Sequence, residues 1–395
     1  MPASDRRDVP RAFTRREGAM THQYDDIVIG VGGMGSATTY RLAKRGRDVL
    51  GLERYDVPHA MGSSHGISRI IRLAYYEDPS YVPLVRRAYE LWEELQERQG
   101  ERLLHQTGSI DAAPEDDPLF RGSLRSCEEY DIDHEVLTSR EVTDRFPGYR
   151  LPDDHMALYQ PDGGYLLSER AIVAHTMQAQ AEGARIQARE RVTDWEPEGD
   201  GVRVTTDRGE YTADNLVVAS GAWAYKHIDA LDGLAVPQRQ VLAWLQPQSP
   251  EKFRPERFPV WNLQVEEGRF YGLPIARVPG FKFGRYTHRG EDVDPDAMNR
   301  EPEPEDERLL REFAERYFPE GTGPTMRLAT CMFTNSPTTT SSSIATPSTR
   351  RSSSAPASRV TATSSRASSA RCSRTSQRGR TDHPIDLFGL DRFDV

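Results

Sequence analysis

Three glycines, Gly30, Gly32 and Gly35, constrain this chain more than any other feature. They stand at G-x-G-x-x-G spacing directly after Ile27–Ile29, a short apolar run that predicts a buried parallel strand. Ser36 to Lys44 continue as a helix, and Val49 to Leu52 predict a second strand ending on Glu53. Glycine there permits a tight turn, lets backbone approach a pyrophosphate and allows close packing of helix on strand. The helix then turns its positive dipole end to the phosphates, and the acid lies 18 residues past Gly35, placed for ribose hydroxyls. Strand, glycine turn, helix, strand and terminal acid in that order predict dinucleotide binding in an α/β fold.

A chain of 395 residues can bury a large core and points to two domains. No apolar run approaches the roughly 18 residues that span a membrane, and residues 1–21 lack the apolar stretch of a secretory signal. Met20 precedes the first strand, so residues 1–21 are expected to be a disordered or mis-started extension. Three cysteines imply no disulfide framework, and a cytoplasmic location follows as the expectation. The formal net charge of −10 argues against nucleic acid as a partner. Only four lysines occur, Lys44, Lys226, Lys252 and Lys282, so arginine carries most of the positive charge.

Composition breaks after Pro337. From Thr338 to Gln377 there is no Asp, Glu, Lys, Leu, Phe, Tyr, Trp or Gly, while Ser, Thr, Ala and six arginines dominate. Composition alone reads as low complexity. The genetic code offers another reading: one base earlier, with suitable codons, Ser358 to Ser365 become Phe-Ser-Gly-His-Gly-Tyr-Lys-Phe. The same slip turns the flanking stretches into plausible structured sequence, so residues 338–377 are expected to be out of frame and disordered as written. Ordinary sequence resumes after Arg378.

Between these ends, Leu84, Ala88, Leu91, Trp92 and Leu95 fall on one face of a predicted helix. Ser168 is expected to cap another, running through Ala171 to Gln180 and ending at Gly183. Leu216–Ala219 predict a buried strand closing on S-G-A-W near the nucleotide. Val241–Leu245, Arg269–Leu273 and Phe281–Tyr286 alternate as in an antiparallel sheet.

Candidate chemistry lies in two groups. In G-S-S-H-G-I-S-R-I-I-R, Ser63, Ser64 and His65 precede Arg69 and Arg72, neither of which has an acid within four residues on its N-terminal side. One of these arginines could bind a carboxylate bidentately; the alternative is a surface or interface role. Taken alone, His65 reads as structural. Lys282 alternates with aromatics in F-K-F-G-R-Y, either as a functional amine or as an edge-strand lysine. Taken alone, Tyr271 reads as core and Cys331 as a small buried hydrophobe. No ligand spacing for a metal is present.

Those motifs, with S-G-A-W, F-Y-G-L-P and C-M-F-T, resemble the monomeric sarcosine oxidase and N-methyltryptophan oxidase family of flavoproteins, from about Tyr24 to Pro337 and again from Arg378. The resemblance implies a Rossmann-like FAD-binding domain with an inserted antiparallel-sheet substrate domain. It divides the chain into 22–104, 160–230 and 325–395 for FAD and 105–159 and 231–324 for substrate. It also implies FAD bound through Gly30, Gly32, Gly35 and Glu53, with Ser63 and Ser64 nearby, and attached covalently through Cys331. Arg72 would hold a substrate carboxylate, and Arg69 and His65 would lie near the flavin. Tyr271 would face the substrate, and Lys282 would activate oxygen. The implied reaction is oxidation of N-methyl or cyclic secondary amino acids by O2 to an imine and H2O2, in a monomer. A dehydrogenase with another acceptor is one alternative, and a frameshifted product without FAD is another. The family places histidine directly after the tyrosine matching Tyr286; here Thr287 stands there, and a bulge is needed for His288 to substitute. The G-F-S-G-H-G-x-K segment of the family is absent as written, and with it a strand, a loop and a helix.

Overall fold

The computed structural model describes residues 23–336 together with the backbone of two short strands, Ser343–Pro347 and Arg359–Thr363. Extension 1–21, and most of the stretch read as out of frame, lie outside the described residues.

The first strand, β1 (Gln23–Ile29), is buried from Ile27 to Ile29, and its apolar side chains face both layers. Helix α1 (Gly33–Ala43) follows after one turn, and β2 (Val49–Leu52) returns parallel to β1, pairing Ile29 with Leu52. Helix α1 begins at Gly33 rather than Ser36, because the glycine turn itself supplies the first helical residues. Glu210–Val218 flanks β1 on its other side, also in parallel, so its C-terminal end meets the glycine turn. Outside it, Gly201–Thr206 and Val192–Glu198 extend the sheet in antiparallel fashion, and Arg185–Gln187 closes the edge beyond β2. The backbone of Arg359–Thr363 also runs parallel to Glu210–Val218, so a strand occupies the place expected to be missing.

A second eight-stranded sheet carries the other half. Its order runs Thr325–Asn335, Val236–Leu245, Phe281–Arg285, Gly268–Leu273, Val260–Val265, Ser109–Pro114, His155–Gln160 and Glu135–Thr138. Neighbours are antiparallel except Val260–Val265 against Ser109–Pro114. Aromatic side chains fill the layer between this sheet and the helix Pro304–Tyr317, including Phe253, Phe258, Phe281, Phe283, Phe313 and Phe318. The grouping of residues 325–395 with the nucleotide part does not hold for Thr325–Asn335. This segment pairs along the whole of Val236–Leu245, and that ladder ties it to the substrate sheet.

Between the two large sheets, β3 (Ser68–Ile71) pairs with Gly164–Leu167, which pairs in turn with Leu104–Gln106. Helix α2 (Tyr81–Gln99) buries Leu84, Ala88, Trp92 and Leu95 as expected from the sequence, while Leu91, expected on the same face, is only half-buried. The helix Ser168–Ala181 starts on Leu167 and has no side-chain cap. Ser168 does not cap it; its hydroxyl donates to Glu169 at 2.7 Å instead. Among the described residues no helix is long and apolar enough to cross a membrane, and no cluster of three His, Cys, Asp or Glu is arranged to hold a metal.

Candidate active site

One cavity of about 950 Å³ runs from the glycine turn to the face of the second sheet. Its two ends are built differently. At the glycine end the wall is main chain. Gly30 has φ +88°, and a Cβ there would meet the Ala219 carbonyl oxygen at 2.7 Å. A Cβ on Gly35 would sit 1.7 Å from the Gly30 oxygen, so no side chain fits where α1 crosses the strand. The Gly33 N–H donates to the Ser64 hydroxyl at 3.2 Å, which ties the Ser63–Ser64 loop to the helix start. Helix α1 has no acid in its first turn. Its N-terminus therefore offers positive dipole to an anion without a competing carboxylate. Glu53, buried at the end of β2, accepts from the Val31 and Tyr55 N–H groups, each at 2.9 Å. The residues present fit FAD: a cradle closed to side chains, a helix N-terminus with no acid in its first turn, a buried acid at the end of β2 and a long cavity.

At the far end the wall is made of side chains. Lys282 is fully buried on Phe281–Arg285 and donates to the carbonyls of Gly66 at 2.8 Å and Ser68 at 2.5 Å. Burial, then the neighbouring Arg69 charge, hold its ammonium pKa well below the usual lysine range. Arg69 donates to the carbonyls of Ser63 and Ser68. Gly66 lies between the two cations: a Cβ there would be 3.5 Å from both Arg69 Nη1 and Lys282 Nζ. The Gly66 turn is itself clamped by Glu169, whose carboxylate accepts from the N–H groups of Gly66 and Ile67. Glu169 escapes sequence reasoning because its partners lie about a hundred residues upstream.

Arg72 does not stand unpaired. It is buried, its Nη2 lies 3.6 Å from Glu77 and its Nε 3.4 Å from Asp111, and Nε also donates to the Ala74 carbonyl. Burial works against its charge, but Asp111 and Glu77 outweigh it and hold the guanidinium above its ordinary pKa. The acids come from the C-terminal side and from another strand, where a search limited to N-terminal neighbours does not look. Arg72 still lines the cavity, with its Cζ 4.7 Å from the Tyr75 ring and 5.4 Å from that of Tyr76. Tyr271 lines it too, with Tyr286 against its ring at 5.0 Å.

Four predicted residues lie off the wall: Gly35, packed against the Gly30 oxygen, and the following three. Cys331 is buried and packs with Leu242 and Trp244 against Tyr271. Burial raises its thiol pKa, while Arg69 and Lys282 are close enough to pull it back. His65 is buried with both ring nitrogens lacking a hydrogen-bond partner, and burial, then Arg69, lower its pKa to about 4. His288 is not on the cavity at all. The chain turns back at Thr287 and His288, both at positive φ, and Nε2 of His288 contacts the Asp306 carboxylate at 2.9 Å, beside Arg239. The bulge therefore aims His288 at helix Pro304–Tyr317, and Tyr286 with Thr287 face the cavity instead. Sequence reasoning also missed Tyr76 and Arg269, both on the wall. Arg269 was within reach of it: two residues before Tyr271 on one strand, the pair share a face.

Comparison with known proteins agrees with this geometry. A family model described as FAD dependent oxidoreductase matches residues 25–350. The chain is 39% identical over 325 residues to monomeric sarcosine oxidase of Streptomyces avermitilis, covering 80% of this chain and 84% of that protein. It is 33% identical over 318 residues to N-methyl-L-tryptophan oxidase of Yersinia pestis strain Pestoides F, with coverage of 80% and 84%. Among solved structures it is similar to the open form of NikD, an amino acid oxidase, with TM-score 0.79 and 25% identity over 93% of this chain and 98% of that one. The fold also matches glycine oxidase from Geobacillus kaustophilus, with TM-score 0.76 and 20% identity over 94% and 99%.

Proposed function

The chain belongs to the FAD-dependent oxidoreductase family and is an amine oxidoreductase acting on CH–NH donors; from that premise we propose that it oxidises N-methyl or cyclic secondary amino acids with O2. When bound, FAD would accept a hydride, two electrons with one hydrogen, from the C–H of the carbon beside nitrogen, while the N–H proton is released. In this reading the substrate becomes an imine that water hydrolyses, and both electrons with two protons leave on oxygen as H2O2.

Each residue of the chain then has a defined task. Gly30, Gly32 and Gly35 with the start of α1 hold the pyrophosphate, Glu53 accepts the ribose hydroxyls, and Ser63 and Ser64 shape the loop above them. Cys331 tethers the flavin in this reading, from a strand whose next residues, Met332 and Phe333, line the cavity. Arg72 holds the substrate carboxylate, with Glu77 and Asp111 fixing its plane. Tyr271 orients the amine. Lys282 supplies a fixed proton donor where reduced oxygen acquires negative charge. The observation that carries the oxidase reading is Lys282 itself, a buried amine on the cavity wall with two carbonyl partners and a neighbouring arginine.

Peroxide release with sarcosine, N-methyltryptophan and pipecolate tests this reading, using the protein as written and a version with the shifted frame restored over 338–377. Peroxide from at least one substrate is the expected result. Flavin bleaching without peroxide would make the protein a dehydrogenase, and silence with all three would discard the substrate class. A colourless protein as written beside a yellow restored one would locate the defect in 338–377. Yellow colour surviving acid precipitation checks the Cys331 tether.

A further inference from the structure

Three of the four cations at the far end of the cavity already have partners. Arg69 and Lys282 are satisfied by carbonyls, and Arg72 lies against Glu77 and Asp111. Arg269 differs. Its side chain makes one polar contact among the described residues, from Nε to the Gln264 amide oxygen at 3.3 Å, and no carboxylate is within salt-bridge distance. Neither terminal nitrogen has a hydrogen-bond partner among the described residues, and Arg269 lines the cavity. The guanidinium carbon sits 4.5 Å from the Tyr76 ring centroid, a cation–π contact that fixes its plane. A planar, oriented fork with two unused donors is the geometry that binds a carboxylate bidentately.

Its position sets which carboxylate. Leu273 pairs with Lys282 and Tyr271 with Gly284 in the ladder between these strands. Arg269 lies on the same face, four residues from Leu273, so about 13 Å along the strand from the rung that carries Lys282. Its side chain leaves the strand at a different rung from Lys282 and lies against Tyr76. Tyr76 lies between Arg269 and Arg72, 4.5 Å and 5.4 Å from their guanidinium carbons. The two cations are therefore no farther apart than those two distances laid end to end, a span suited to a short diacid. Glu77, the one acid among the described residues lining this end, is already engaged by Arg72.

We propose that Arg269 and Gln264 form a subsite for a second carboxylate, so that the substrate class is an N-methyl or cyclic amino dicarboxylate. This rests on the reading of the cavity as an amino-acid site with Arg72 at the α-carboxylate. Titration calorimetry of the full chain with glutarate and with valerate, equal in length but different in charge, tests it. Glutarate binds the unaltered protein at least tenfold more tightly than valerate. Arg269→Gln removes that preference and leaves valerate binding unchanged, which also shows that the cavity is folded; Arg269→Lys keeps part of it. Equal affinity for the two acids, or an Arg269→Gln variant that weakens both alike, would overturn the subsite while leaving the amino-acid reading intact. Failure of both acids to bind the unaltered protein would overturn both.

Discussion

The two ends of one cavity are held by different physics. At the nucleotide end the contacts come from backbone: glycines that admit no Cβ, a helix N-terminus, and a glutamate spent on two N–H groups. At the catalytic end they come from charged side chains on three separate segments, Arg69 and Arg72 on or next to β3, Arg269 two residues before Tyr271, and Lys282 one strand over. Backbone contacts within some thirty residues need only spacing. Buried charges need compensation, and here it is drawn from the Gly66 and Ser68 carbonyls, from Glu77 and from Asp111. The first end should therefore fail as a unit when it is altered. The second should fail one function at a time.

The sharpest way to break that contrast is Gly35→Val. Its Cβ would overlap the Gly30 oxygen at 1.7 Å and press on Ala219 at 3.3 Å, so α1 must move away from β1. We expect complete loss of flavin and a large drop in melting temperature, read by absorbance and thermal denaturation. A yellow, stable Gly35→Val protein would show that the nucleotide end is more plastic than its geometry states.

Lys282→Met probes the opposite end and ranks next. Removing one oriented donor from a dry site costs about 10²–10³ in rate. The loss should fall on reoxidation by O2, with anaerobic reduction of the flavin by substrate changed far less; stopped-flow absorbance separates the two. Burial lowers the Lys282 pKa, so its charged form is lost at a lower pH than in a free lysine. Reoxidation of the unaltered enzyme should accordingly slow as pH rises, and the variant should lack that dependence. Equal losses in both half-reactions would mean that this end also fails as a unit.

The same contrast explains what could be read from the residues. Strand β2 ends at Leu52 as expected, and the buried face of α2 matches its spacing, because both depend on local periodicity. The alternation of Arg269–Leu273 and Phe281–Tyr286 located the second sheet for the same reason. Arg72 meets Asp111 from Ser109–Pro114, far along the chain, and Glu77 on its C-terminal side, and a window of N-terminal neighbours holds neither. His288 was misplaced because two successive positive-φ residues, neither of them glycine, turn it toward Asp306, and no composition rule signals that turn. Thr325–Asn335 joins Val236–Leu245 although it adjoins the C-terminal stretch, because pairing and not sequence proximity decides which sheet a strand enters.

His65 sits where the two ends meet, and it gives the smallest test. Its folded pKa of about 4 lies below the ordinary value of 6.5, chiefly through burial and then through Arg69. Above pH 6.5 the ring is neutral folded or unfolded and costs nothing. As pH falls from 6.5 toward 4 the unfolded chain takes up a proton that the folded one refuses, so stability drops by up to about 1.4 kcal/mol per pH unit from this group, and levels off below pH 4. His175, fully buried and lowered to about 3, adds a parallel loss over the same window. His59, His105, His227 and His288 are lowered by burial as well, so His65→Leu removes one titration among several, and also the two unpartnered ring nitrogens. Its melting temperature should equal or exceed that of the unaltered protein at pH 7, and should fall less steeply between pH 6.5 and 4.5. An unchanged slope would mean that His65 finds a proton partner in the folded protein, and that the catalytic end reaches further toward the nucleotide than its wall of side chains indicates.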